Sequence, residues 1–294
     1  MKEMALALGS FDGLHRAHMA IIEKTIEYAK ENNLTSGVLL FDRLPGEIFG
    51  IKTERLMTIE DKKNKLSMLD FIHICEFSKE FSDMLPAEFA GFLKKKFNVR
   101  AVCAGYNYRF GKNASGDIKT LIQEGIKNGF SVIEVPEYKI DGQTVSSTKI
   151  REFIKDGNIK GANSFLGYDF FISGTVVNGY QLGRTIGVPT VNLDFDEKNI
   201  LPRFGVYAGY VSLDGEAYDA VINVGKRPTF NRDDITVESF LLDFNGDIYN
   251  RKIKVCFKEF LREEIKFDNK QMFAAQIERD VLSAREILKK GQKE

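Results

Sequence analysis

The stretch GSFDGLHRAH at residues 9–18 carries two of the chain's three histidines, three residues apart. It lies between two apolar runs, MALAL before it and MAII after it. A glycine-led turn from strand to helix leaves backbone N–H groups open at a helix start, where phosphate binds readily. His15 and His18 project from the same side of that helix start. Two imidazoles there can stabilise charge building on phosphoryl oxygens during a displacement. The competing explanation is mundane: one histidine caps the helix and the other meets solvent. The third, His73 in DFIHICEF, reads as a core residue.

Two further stretches could meet this turn. GYNYRFGKNASGD (105–117) is rich in glycine and amide and offers Arg109 and Lys112 as cations. VSSTKIR (145–151) places hydroxyls at a helix start and Arg151 one turn in, which suits phosphate. A capped surface helix would explain those serines equally well. The second half supplies its own chemistry. In GTVVNGYQLGRTIGVPTVNL (174–193), Gly179, Gly183 and Gly187 recur every four residues around Arg184. Such a backbone can approach phosphates closely. Thr190 and Asn192 are two apart in an extended segment, so they share a face. Their two oxygens could serve a magnesium ion held mostly by water and nucleotide. Glu238 alternates with Phe240 and Leu242. A carboxylate on an apolar face is costly unless paired or used, which makes it a candidate base. A strand-end glutamate reaching solvent is the bland alternative. Arg262, in FLREEIKF, stands beside an acidic cluster.

These residues need elements to hold them. The first half alternates strands (Met4–Leu8, Gly37–Phe41, Arg100–Ala104, Ser131–Val135) with helices (His18–Asn32, Thr58–Leu69, Pro86–Phe97, Lys119–Asn128). That alternation predicts a parallel sheet covered on both faces. From about Asp169 the pattern becomes short strands separated by NG and DG turns, which predicts an antiparallel barrel or sandwich. An amphipathic helix over about Lys270–Lys289 closes the chain, and a boundary is expected near Gly157–Gly167. At 294 residues two domains are expected. Lys and Arg total 42, as do Asp and Glu, so no global charge advertises nucleic acid or membrane. Three scattered cysteines suggest neither disulfides nor zinc. The apolar start, MALALG, is too short for a signal peptide, and the cytosol is the expected compartment.

Taken together, the motifs resemble the prokaryotic bifunctional riboflavin kinase/FMN adenylyltransferase (FAD synthetase) family along nearly the whole chain. GRTIGVPTVNL, GVYAG, NVGKRPTF, VESFLLDFNGDIY and FLREEIKF stand in the family's order, as do GSFDGLHRAH, GYNYRFGKNASGD and VSSTKIR. The resemblance implies an α/β Rossmann-like nucleotidyltransferase domain over 1–164. An antiparallel β-barrel riboflavin kinase domain with a C-terminal helix would follow over 165–294. It implies phosphorylation of riboflavin by ATP to FMN, with magnesium, and adenylylation of FMN to FAD. By the same resemblance Glu238 is the kinase base and Thr190 and Asn192 hold Mg–ATP. Gly183, Arg184, Gly187, Pro189 and Asn223 contact its nucleotide. His15 and His18 serve the adenylyl transfer, with Gly9, Phe11, Asp12, Asn107, Ser147 and Arg151 around the nucleotide. Arg109, Phe110 and Arg262 are the implied flavin contacts. Two departures fall in the first half: Ala17 where the family has glycine between its histidines, and LFDRLP (40–45) where it has TFxPHP. The alternative is a monofunctional kinase with a degenerate first domain.

Overall fold

The computed structural model describes residues 2–177, 190–226 and 235–291. Gly179, Gly183, Arg184, Gly187 and Pro189 lie outside these. Packing divides the chain into two units, Met1–Ser147 and Thr148–Glu294.

The first unit runs β1 (Met4–Leu8), α1 (Arg16–Glu31), β2 (Thr35–Phe41), α2 (Pro45–Ile48), α3 (Ile59–Lys65), β3 (Phe71–Cys75), α4 (Lys79–Ser82), α5 (Pro86–Phe97), β4 (Val99–Gly105), α6 (Ile118–Asn128) and β5 (Ser131–Val135), then the hairpin β6 (Lys139–Ile140) and β7 (Gln143–Thr144). Strands β1 to β5 form one parallel sheet in the order β3-β2-β1-β4-β5. β1, MALAL, is buried along its whole length, as a strand covered on both faces must be. α1 buries Ile21, Ile22, Thr25 and Ala29, one helical stripe. Leu6, Leu8, Leu93, Phe97, Val102 and Leu121 belong to one core cluster. Local signals set the helix ends. Pro86 opens α5, where the Leu85 amide donates to Glu88 Oε2 at 2.7 Å. Asp117 caps α6 by accepting from the Thr120 amide at 2.8 Å. The chain winds from β1 outward to β3, then returns beside β1 as β4. The switch point therefore lies beyond the carboxyl ends of β1 and β4, where open sheets of this kind bind ligands.

β3 was hidden in the sequence as an undivided apolar stretch. It is an edge strand, so His73 is half-buried against Phe97 rather than sealed in the core.

The second unit holds α7 (Ser147–Lys155), α8 (Ile159–Leu166), β8 (Phe171–Val177), β9 (Thr190–Phe195), β10 (Gly205–Leu213), β11 (Glu216–Lys226), β12 (Ile235–Leu241), β13 (Lys252–Arg262) and α9 (Lys270–Gly291). Six antiparallel strands close a barrel in the order β10-β11-β12-β9-β8-β13. Tyr207, Val211, Ile222, Val224, Val237, Leu241 and Phe257 fill it, while their alternates face outward. Val281, Ala284, Ile287 and Leu288 of α9 cover Val206, Ala208, Val221 and Phe240 on the outer face. All three cysteines are buried, and burial raises each thiol, that of Cys256 to about 12.

The stretch expected to be a boundary, 157–167, is mostly α8. Asn163 fastens that helix to the barrel. Its amide nitrogen donates to Phe257 O at 3.0 Å and Asp169 Oδ1 at 3.1 Å, and its oxygen accepts from the Phe170 amide at 2.8 Å. Removing a partner from half-buried groups costs about 1–3 kcal/mol per stranded group. Asn163→Ala should therefore destabilise the second unit by about 2 kcal/mol or more in urea unfolding. A fragment beginning at Thr148 should melt above one beginning at Phe165, and equal midpoints would show that α8 contributes nothing.

Candidate active sites

The turn from β1 to α1 is built around residues that tolerate little change. A Cβ on Gly9 would meet the Phe11 ring at 3.2 Å, and one on Gly13, at φ 81°, would meet Leu56 at 2.8 Å. Phe11 (φ 48°) and Leu14 (φ 42°) also adopt the left-handed conformation, a local strain that surrounding packing must hold. His15 is the N-cap of α1, its Nδ1 accepting from the His18 amide at 3.3 Å. In the neutral ring the proton then sits on Nε2. The two imidazoles stack with centroids 3.6 Å apart, and Phe11 meets His18 edge-on at 5.3 Å. Burial holds His18 well below the ordinary histidine range, and the nearby His15 and Lys62 push the same way. His18 Nδ1 is buried with no hydrogen-bond partner among the described residues. The capping explanation and the chemical one thus coexist: His15 caps the helix and also lines a cavity.

That cavity, about 610 Å³, opens at the sheet's switch point. Gly9, His15, Ala17, His18, Asn107, Arg109, Phe110 and Ser147 all line it, so three segments distant in sequence converge as expected. One end is polar, with the histidines and Ser147. The other is aromatic, walled by Phe41, Phe77, Phe81, Phe89 and Tyr108. Tyr108 and Phe110 stack there, centroids 5.6 Å apart. Phe110 is among the implied flavin contacts, whereas Phe41, Phe77, Phe81, Phe89 and Tyr108 escaped the sequence reading. Their only local trace is a run of phenylalanines at the ends of strands and helices.

Other expected contacts fall elsewhere. Phe11 and Asp12 are sealed beneath the turn rather than lining the cavity. Asp12 accepts from the Leu56 amide at 3.1 Å, and its carbonyl accepts from Ser147 Oγ at 3.0 Å. Arg151 lies on α7 in the second unit and is not among the lining residues. Leu44 is buried, its backbone amide donating to Glu47 Oε1 at 2.8 Å, and Arg43 pairs with Asp42 at 2.6 Å. Neither lines the cavity, whereas Ala17 does.

On the barrel, register assembles a second group. Glu238 of β12 lies opposite Asn223 of β11 on one side and Asn192 of β9 on the other. Directly opposed residues share a face, so amide, carboxylate and amide form one polar row. Thr190, two residues from Asn192, lies opposite Phe240 on the same face. The apolar surroundings expected for Glu238 are real toward Phe240, but its lateral neighbours are both asparagines. Arg262 is committed to α9 rather than to the adjacent acids: it pairs with Asp280 at 2.7 Å.

The first unit thus offers a cavity at the switch point of a parallel sheet, and the barrel offers one carboxylate between two amides. Residues 1–149 match the FAD synthetase family and residues 166–288 the riboflavin kinase family. The chain is 32% identical to a bifunctional riboflavin kinase/FMN adenylyltransferase from Listeria monocytogenes, over 97% of this chain and 92% of that protein. It is 35% identical to the protein so named from Escherichia coli, over 96% of this chain and 92% of the relative. A crystal structure described as a macrolide-efflux protein from Streptococcus pneumoniae matches with a TM-score of 0.87 at 30% identity, covering 96% of this chain and 94% of the other. No helix among the described residues is long and apolar enough to cross a membrane. The chain belongs to the bifunctional riboflavin kinase/FMN adenylyltransferase family and is an enzyme of both classes.

The lowered affinity of His18 for protons has a thermodynamic consequence. The unfolded chain protonates this histidine near pH 6.5, whereas the folded protein keeps it neutral. Half-buried His73 is shifted in the same direction by burial and Lys96. Below about pH 6.5 the unfolded state therefore binds more protons, and stability falls as pH falls. Melting temperatures recorded from pH 7.5 to 5 should show this decline, and His18→Gln should flatten it. An unchanged slope in that variant would show that His18 titrates normally.

Proposed function

We propose that the cavity of the first unit joins AMP to FMN and that the polar row on the barrel phosphorylates riboflavin. Two observations support this division: one cavity gathers Gly9, His15, His18, Asn107, Arg109, Phe110 and Ser147, and strand register sets Asn192, Glu238 and Asn223 side by side. In the first site the FMN phosphate attacks the α-phosphorus of ATP and pyrophosphate leaves. The aromatic end takes the flavin ring, and the helix start with His15 and His18 takes the phosphates. His18, which lines the cavity beside His15, meets a phosphoryl oxygen. The neutral His18 imidazole donates to the developing charge without surrendering a proton, so positioning and charge stabilisation carry the transfer.

In the second site the ribityl 5′-hydroxyl attacks the γ-phosphorus of ATP, its proton passes to Glu238, and ADP leaves. Asn223 steadies the nucleotide or acceptor beside that carboxylate. Thr190 and Asn192 offer one hydroxyl and one amide oxygen, and no cluster of metal-ligating side chains exists among the described residues. Such donors suit magnesium arriving with ATP. When bound, that ion would neutralise phosphate charge. Gly183, Arg184, Gly187 and Pro189 are assigned to the phosphates on sequence grounds alone. The two activities divide between 1–164 and 165–294 in this scheme. The cytoplasm is the assigned compartment, because both steps consume ATP.

Glu238→Gln keeps the shape of the row but removes the base. General-base catalysis is typically worth about 10²–10⁴-fold, so FMN formation should fall by that order while ATP binding changes little. Near-normal turnover would remove Glu238 from the mechanism. Ala17 and Leu44 give a second test in the other site. Ala17 lines the cavity and Leu44 does not, so Ala17→Gly should raise the rate of FAD formation several-fold, since small misplacements are costly in such sites. Leu44→His should instead cost stability without raising the rate. Chromatographic separation of FMN from FAD reads both variants, and a faster Leu44→His enzyme would contradict this placement.

A further inference from the structure

The polar row on the barrel continues past Asn223. Asn223 lies opposite Val206 of β10, and Val206 lies opposite Arg262 at the end of β13. Arg262 is held from outside the barrel by α9. Its Nε donates to Asp280 Oδ1 at 2.9 Å and its Nη2 to Oδ2 at 2.7 Å, while Nη1 donates to the Glu263 carbonyl at 2.9 Å. Gln276, one turn earlier on α9, donates to Asp280 Oδ1 at 2.9 Å. Asp280 is only 5% exposed. A carboxylate bound in a planar two-bond fork fixes the direction of a guanidinium as well as its position. The next turns of α9 pack Val281, Ala284 and Leu288 on the same outer face, against Val206, Val221 and Phe240. The helix therefore borders the row of Asn192, Glu238 and Asn223.

The row has two different ends. At the β9 end stand Thr190 and Asn192, and the glycine-bearing stretch enters β9 there in sequence. At the β13 end stands Arg262. In phosphoryl transfer the attacking and leaving oxygens lie roughly in line, on opposite sides of the phosphorus. With nucleotide at the β9 end and Glu238 between, the acceptor alcohol approaches from the Arg262 end. This step rests on the kinase site proposed above.

We propose that Asp280 is a positioning residue of the kinase: through Arg262 it fixes the acceptor end of the row, so that α9 governs riboflavin affinity without acting on ATP. Steady-state kinase kinetics of the full-length chain test this. Asp280→Asn should raise KM for riboflavin about tenfold, the order expected for one charge-assisted hydrogen bond. KM for ATP and the rate of FMN adenylylation should stay within about twofold of the parent. Leu288→Ala, which loosens the same helix through its apolar contacts, should lower the melting temperature and leave KM for riboflavin unchanged. An unchanged riboflavin KM in Asp280→Asn overturns the proposal, as does an equal rise in Leu288→Ala, which would mark the effect as structural. If Asp280→Asn does not fold, Arg262→Lys, which loses the fork but keeps the charge, must show the same selective rise. Glu238→Gln measured in parallel separates the two levels. Full turnover there means the site itself is misplaced. An inactive Glu238→Gln enzyme beside a normal riboflavin KM in Asp280→Asn rejects only the role of Asp280.

Discussion

Asp12 is the constraint on which the first site hangs. A carboxylate this deeply buried is costly unless its oxygens are satisfied, and the Leu56 amide meets that need from 44 residues away. The same residue's carbonyl accepts from Ser147, 135 residues away. Three segments are thus pinned to one turn: the helix start with its histidines, the passage into α3, and Ser147, the last residue of the first unit. The strained backbone at Phe11 and Leu14 persists because these anchors surround it. Asp12 therefore shapes the site from beneath, without lining the cavity.

The barrel solves the same problem through register. No turn or cap brings Asn192, Glu238 and Asn223 together; hydrogen-bond pairing of three strands does. A slip of β12 by one residue would send Glu238 inward and turn Val237 and Ser239 out, which would break the row. The packed interior around Tyr207 and Phe257 fixes the register by making that exchange prohibitive. Closure also removes free edges, so the row is held from both sides.

Elements governed by local chemistry were legible in the sequence. β1, α5 and α6 appear where apolar period, proline, Asp117 and Gly129 place them, and six barrel strands follow their turn signals. What escaped is set by contacts remote in sequence. β3 is short and half-buried, so its alternation is blurred. α8 was obscured by the glycines on either side, which signal ends of helices as readily as loops. The convergence of His15, Asn107, Arg109, Phe110 and Ser147 was anticipated as a meeting of loops, but its aromatic wall was not. Phe41 meets Phe77, and Phe89 meets Phe110, across segments remote in sequence, and such contacts leave no spacing to read. Arg262 illustrates the limit most plainly, because its partner Asp280 lies beyond a whole connecting segment, with nearer acids competing for notice.

The buried cysteines carry a practical consequence. With every native thiol buried and its ionisation suppressed, thiolate is scarce and little sulfur surface meets solvent. Alkylating probes should find almost no background in the folded enzyme. One cysteine introduced at an exposed position such as Val177, the last described residue before the glycine-bearing stretch, would be the sole labelling point. A fluorophore attached there could report nucleotide arrival at the barrel without replacing any native cysteine, giving the kinase half an optical handle of its own.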